Sequence, residues 1–319
     1  MARVRGIAAL TLGVLLTGCT PTAPPDTAPV TPPPPATPSV SPTPTATPSA
    51  RPFDPATALA TIEQLTALGP REATGAAYSQ AAALVQSEFE RHGYRVTRQE
   101  FDVPAGTSWG IAVPAGRTVT VVADPPGFDP ALPHVIIGAH LDTVPQAPGA
   151  EDNASGVAVM LELARMAAEQ PPEVPVRFIA FGAEEPRGPG DTRHHYGSRH
   201  FVAGLDDSGR EAITAMVALD RVGVPSAAVP LAHGGRGTDR VRGELAEAAA
   251  EVGVPVELGV NTASDHWSFE KAGIPAARIG SVPYAGYHSA DDVPAVIDEE
   301  QVKRVGAVAW AWLRSLRTE

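Results

Sequence analysis

Past an amino-terminal stretch of different character, the chain alternates between two periodicities. Apolar positions three and four apart mark helices, and short unbroken apolar runs mark strands buried on both faces. Asp54 followed by Pro55 reads as a helix cap with proline at the first helical position, opening a helix through about Leu68. A second amphipathic helix is predicted from Thr74 to His92. Two strands follow, Arg95 to Val103 and Arg117 to Ala123, expected as an antiparallel edge. The core is read from four apolar runs of strand length: His134 to Ala139, Val176 to Phe181, Ile213 to Leu219 and Ala276 to Gly280. Helical stretches lie between them, at about Ser155 to Glu169, Gly197 to Leu205, Thr238 to Val252 and Asp265 to Ala272. A last helix runs from about Asp298 to Leu316. This alternation predicts an α/β fold, a mostly parallel twisted central sheet flanked by helices. No internal repeat is visible.

The amino terminus changes the picture of where the chain works. Arg3 and Arg5 precede the apolar stretch Ile7 to Leu16, the layout of a secretory signal, and the stretch falls short of the roughly 20 apolar residues a membrane span needs. It ends in Leu16-Thr17-Gly18-Cys19, which resembles the lipobox of bacterial lipoproteins. That resemblance implies that Cys19 becomes the new amino terminus and carries the lipid. Cys19 is the only cysteine, so no disulfide within the chain is available and stability must come from packing and metal. Residues 20–52 hold thirteen prolines among Thr, Ala and Ser. Such a segment cannot bury enough surface to fold and is expected to act as a stiff tether. The expected organisation is therefore a signal segment (1–19), a Pro/Thr-rich linker (20–52) and a catalytic body (53–319). The protein is expected outside the cytoplasm, anchored to the bacterial cell membrane, as a monomer. The net charge of -12 argues against a nucleic-acid partner, which favours a basic patch.

Candidate chemistry follows each apolar run. The first leads into His140 and Asp142, the second into Glu184 and Glu185, the third into Asp220, and the fourth, after a loop, into Tyr287 and His288. In an open α/β sheet, ligands bind in the crevice outside the carboxyl ends of the strands, so these distant residues can converge. Gly149 to Gly156, a turn-rich segment containing Asp152 and Asn153, opens the next helix and places Asp152 to reach the same crevice. Imidazole and carboxylate are the ligands zinc takes when thiolate is absent.

The ordered set His140-x-Asp142, Asp152-Asn153-x-Ser155-Gly156, Glu184-Glu185, Asp220 and Tyr287-His288 resembles the zinc aminopeptidases of the M28 family, over roughly Phe53 to the carboxyl terminus. Gly197 to Phe201 and Ser264-Asp265-His266 belong to the same resemblance. It implies two zinc ions per chain bridged by Asp152, with His140 and Asp220 on one and Glu185 and His288 on the other. It implies a peptide substrate and hydrolysis by a metal-bridging water with Glu184 as general base. Asp142 is expected to orient the His140 imidazole, and Asp292 that of His288. Tyr287 is expected to donate to the developing oxyanion. Asp265 and His266 are expected as support near the site, with a helix cap as the other account of Asp265. The segment from Pro186 to Tyr196 is long for its place and is expected to shape the substrate pocket.

Two alternatives remain within this resemblance. Glutaminyl cyclases share the fold but cyclise amino-terminal glutamine with a single zinc, typically with Trp where Tyr287 stands here. Other exopeptidases of the family remove carboxyl-terminal residues or cleave dipeptides. Ala263, where some similar aminopeptidases carry Arg before Ser-Asp-His, leaves substrate contacts from that position open.

Overall fold

The structure, a computed structural model, describes residues 51–318. The signal segment, the lipidation site Cys19 and nearly all of the linker lie outside the described residues. Among the described residues no helix is long and apolar enough to cross a membrane.

Helix α1 (Pro55–Ala67) starts as its sequence dictates: the Asp54 carboxylate accepts from the Ala56 N–H at 3.1 Å. Helix α2 (Ala76–Arg91) leads into β1 (Arg95–Val103), which pairs antiparallel with β4 (Gly116–Asp124) along its whole length. Between them sits a small separate hairpin, β2 (Gly106–Ser108) and β3 (Ile111–Val113). The core strands β5 (His134–His140), β6 (Val176–Phe181), β7 (Ile213–Leu219) and β10 (Ala276–Ile279) fall on the four apolar runs. The sheet has eight strands in the order β1-β4-β6-β5-β7-β10-β8-β9, where β8 is Val229–His233 and β9 is Val256–Val260. Strands β6, β5, β7 and β10 run parallel, as do β8 and β9. The β1-β4, β4-β6 and β10-β8 pairs are antiparallel.

Helices α3 (Gly156–Glu169), α6 (Arg240–Glu251) and α8 (Glu299–Ser315) bury apolar faces in one large core cluster with α1 and α2. Helices α4 (Tyr196–Ala203) and α7 (His266–Lys271) pack in a second cluster around Phe181, Phe201 and Phe269. The sheet is thus covered on both faces, as a largely parallel sheet requires. Asp298 caps α8 by accepting from the Gln301 N–H at 2.7 Å.

The sequence reading lacked β8, β9, the β2/β3 hairpin and helix α5 (Asp207–Ala212). Strand β8 carries Pro230 inside it, which argues against a strand unless the missing N–H is unneeded. Strand β9 is an edge strand with Leu258 and Val260 exposed, so burial does not impose an alternation there. Helix α5 has only six residues, too few for a periodicity.

Candidate metal centre

Each candidate ligand stands where a core strand ends. His140 is the last residue of β5, Asp220 follows β7, and Glu184 and Glu185 follow β6 by one short turn. The ladder continues past these ends, since Leu141 N donates to Phe181 O at 2.9 Å and Asp220 N to Ile279 O at 3.1 Å. Register therefore carries over from the core to the ligands.

Asp152 lies in an irregular turn, Ala150–Ser155, whose side chains explain the residues around it. Asn153 donates to Leu219 O at 2.9 Å and accepts from the Gly156 and Arg221 N–H groups at 3.0 and 3.2 Å. Ser155 Oγ donates to Glu151 O at 2.7 Å and accepts from Val222 N at 3.1 Å. A Cβ at Gly156 would lie 2.3 Å from Leu219 O, so only glycine lets the start of α3 pass this close to β7. The Asp152–Asn153 peptide bond is cis. Arg71, fully buried, donates to the carbonyls of Leu141 at 3.0 Å, Pro148 at 2.6 Å and Gly149 at 2.9 Å, and so holds the loop that delivers this turn.

These supports converge on two triads that share one carboxylate. His140, Asp152 and Asp220 form one group and Asp152, Glu185 and His288 the other, with the ligand atoms of each within 4.8 Å of one another. His140 Nε2 lies 3.1 Å from Asp152 Oδ1 and 3.7 Å from Asp220 Oδ1. His288 Nε2 lies 3.0 Å from Asp152 Oδ2 and 3.5 Å from Glu185 Oε1. Asp152 therefore offers one oxygen to each side. Glu185 Oε1 is buried without a hydrogen-bond partner, and a buried polar atom left so is costly unless something else satisfies it. Nitrogen and oxygen donors, buried and converging in threes, fit divalent zinc.

The electrostatics say the same. Burial, reinforced by neighbouring carboxylates, pushes both Glu184 and Glu185 up to about 8. Burial works against a charged imidazole at His140 and His288, but the surrounding carboxylates outweigh it and raise both, His288 to about 9. Burial also works to raise Asp220, yet Arg278, whose Nη2 lies 3.0 Å from Asp220 Oδ1, and His140 hold it well below the usual carboxylate range. A bound cation would offset this crowding of carboxylates.

Several expected roles take a different geometry. The Asp142 carboxylate does not reach the His140 ring closely: Oδ1 is 3.8 Å from Nδ1, whereas the Asp142 main-chain carbonyl is 3.1 Å away. Its carboxylate instead accepts from the Glu184 and Glu185 N–H groups at 2.9 and 3.1 Å, fixing the turn that carries both glutamates. Asp292 likewise accepts from Glu151 N and Asp152 N at 2.7 and 3.1 Å, and His288 Nδ1 has no hydrogen-bond partner. Spacing along the chain does not reveal such main-chain bonds. Asp265 makes no side-chain cap to α7, and both its oxygens are buried without a hydrogen-bond partner. Burial and the nearby Glu184 push it up to about 7. His266 Nε2 is bonded to Asn261 O at 2.7 Å. Tyr287 stacks on the His288 ring, centroids 3.6 Å apart, and Arg221 covers its other side at 4.3 Å.

A cavity of about 150 Å³ opens onto these residues. His140, Asp152, Glu184, Glu185, Asp220 and His288 line it, and the sequence reading had brought all of these together. Trp109, Arg221 and Arg278 line it too and were missed, and His195 lines it from the segment expected to shape the pocket. His195 Nε2 lies 3.1 Å from Glu184 Oε1, and its main-chain N–H donates to Glu184 O at 2.9 Å. Arg278 had one visible signal, a lone charge inside an apolar strand. Within the segment from Pro186 to Tyr196, Pro186, His194 and His195 reach the cavity.

The sequence profile of peptidase family M28 matches residues 120–313, the span that carries every residue of both triads. The chain belongs to peptidase family M28. Among curated relatives, this M28 chain is 34% identical over 187 residues to aminopeptidase YwaD of Bacillus subtilis, a match covering 56% of this chain and 40% of that protein. Its fold matches the solved structure of BSAP, a zinc aminopeptidase from Bacillus subtilis, with a TM-score of 0.74 at 21% identity, covering 84% of this chain and 96% of that one. It matches a Bacteroides thetaiotaomicron glutaminyl cyclase with a TM-score of 0.71 at 20% identity, covering 84% of this chain and all (100%) of that one.

Proposed function

We propose that this M28 chain is a two-zinc aminopeptidase that hydrolyses the first residue from peptides. The observation that carries the reading is the pair of triads sharing Asp152, with Glu184 beside them and in neither. His140 and Asp220 would hold one ion, Glu185 and His288 the other, and Asp152 both. Ions held there supply Lewis acidity for the scissile carbonyl and make a water acidic enough to attack at neutral pH.

The remaining work falls to the side chains. Glu184 takes a proton from the attacking water and passes it to the leaving amine. Asp142 fixes its backbone, and His195 Nε2 lies 3.1 Å from its carboxylate. The likeness to aminopeptidase YwaD of Bacillus subtilis favours attack at the amino terminus. Tyr287, at the cavity wall against His288, is the candidate donor to the oxyanion.

The glutaminyl cyclase reading needs a single metal, and a complete second triad favours hydrolysis over it. Mass spectrometry of peptides with leucyl and glutaminyl amino termini, incubated with the zinc-loaded protein, separates the readings. Stepwise loss of amino-terminal residues, abolished by a chelator, is expected. Pyroglutamyl products, or shortening from the carboxyl end, would overturn the proposal.

We also propose that Cys19 anchors the protein to the outer face of the cell membrane, on the strength of the Leu16-Thr17-Gly18-Cys19 motif and the tether behind it. Cys19→Ala should move the protein from the membrane fraction to the soluble one. Unchanged membrane retention would end that assignment.

A further inference from the structure

The cavity wall above His288 comes from an unexpected element. Hairpin β2/β3 turns through Trp109 and Gly110, both at positive φ (46° and 86°), with Ser108 paired to Ile111. This turn holds the indole over the site: the Trp109 ring meets His288 edge-on at 4.4 Å and Tyr287 at 5.8 Å. Trp109 nevertheless remains 54% exposed.

The hairpin is clasped by the long segment that follows the paired glutamates. Buried Arg187 donates through Nε to Pro104 O at 2.7 Å and through Nη2 to Pro114 O, one carbonyl on each side of the hairpin, and pairs with Glu72 at 2.7 Å. Arg193 donates to Ala105 O at 3.2 Å and to Arg187 O at 2.8 Å. A Cβ at Gly106 would lie 2.0 Å from Arg187 O, so the two backbones meet as closely as glycine allows. An aromatic ring on a clasped hairpin is a preorganised contact, because little conformational freedom remains to be lost on binding.

The cavity floor is charged, built from Asp152, Glu184, Glu185 and Asp220, whereas the Trp109 face offers a broad apolar surface. We infer that Trp109 is a specificity-determining residue, the wall that takes the side chain of the residue being removed and favours a large apolar one over a small one. This rests on the aminopeptidase reading for its substrate, though not for its test.

Binding of L-leucine hydroxamate and L-alanine hydroxamate to the zinc-loaded protein, followed by titration calorimetry, gives a selectivity that needs no turnover. Trp109→Ala should reduce the leucine-over-alanine preference by about tenfold or more, the scale on which apolar pockets discriminate, while Trp109→Phe should keep it within about threefold of the parent. The same ratios are expected in kcat/KM for leucyl and alanyl p-nitroanilides. An unchanged ratio in Trp109→Ala, or an equal loss for both ligands, would overturn the assignment. If the anilides are not hydrolysed at all, the aminopeptidase reading fails while the hydroxamate ratio still decides the role of Trp109.

Discussion

Glu184→Gln should leave the zinc content of the protein intact and lower kcat by about 10²- to 10⁴-fold, the range over which a positioned acid-base group acts. The reason lies in where Glu184 sits. It belongs to neither triad, so an amide there removes no ligand. Its N–H is held by Asp142 Oδ1 at 2.9 Å, a bond the substitution does not touch, so the turn that carries Glu185 keeps its place. What disappears is the one carboxylate at the cavity able to take and return a proton without leaving a metal. Steady-state kinetics paired with elemental analysis check this: KM should change little, and near-normal kcat would remove Glu184 from the mechanism.

The second large effect is expected at Asp152. Its two oxygens face opposite histidines, at 3.1 Å from His140 Nε2 and 3.0 Å from His288 Nε2. Every other ligand serves one triad, so loss of any of them leaves the opposite group complete. Asp152→Ala removes a ligand from both groups at once and leaves two residues on each side, below the three protein ligands that catalytic zinc sites use. Asp220 keeps Arg278 at 3.0 Å and Glu185 keeps His288 at 3.5 Å, so the loss expected is of metal rather than of the fold. The expected result is loss of both ions together with all measurable peptidase activity, whereas His140→Ala or His288→Ala should each leave one triad able to hold metal.

Much of this site was legible because its logic is that of the sheet. Strands buried on both faces must be apolar runs, and a charged or imidazole residue at the end of each run stands out. The burial of His134–His140, Val176–Phe181 and Ala276–Ile279 shows why those runs could be read at all. Asp54 was legible for a local reason, since a cap is decided within a few residues. The residues that were missed owe their place to contacts between distant segments. Trp109 reaches His288 from a hairpin that Arg187 clasps, a contact between segments far apart in the chain. Asp142 and Asp292 were found by spacing, but their carboxylates bond to main-chain N–H groups, a use that no residue pattern announces. Arg278 sat within a strand already assigned, where a lone arginine was the only trace of its pairing with Asp220.

The account depends on one carboxylate joining two cation sites, and metal content tests that most directly. Elemental analysis of the purified protein after zinc loading and exhaustive dialysis should give two zinc ions per chain, and less than one for Asp152→Ala. One ion or none in the parent protein, or two retained in Asp152→Ala, would contradict it.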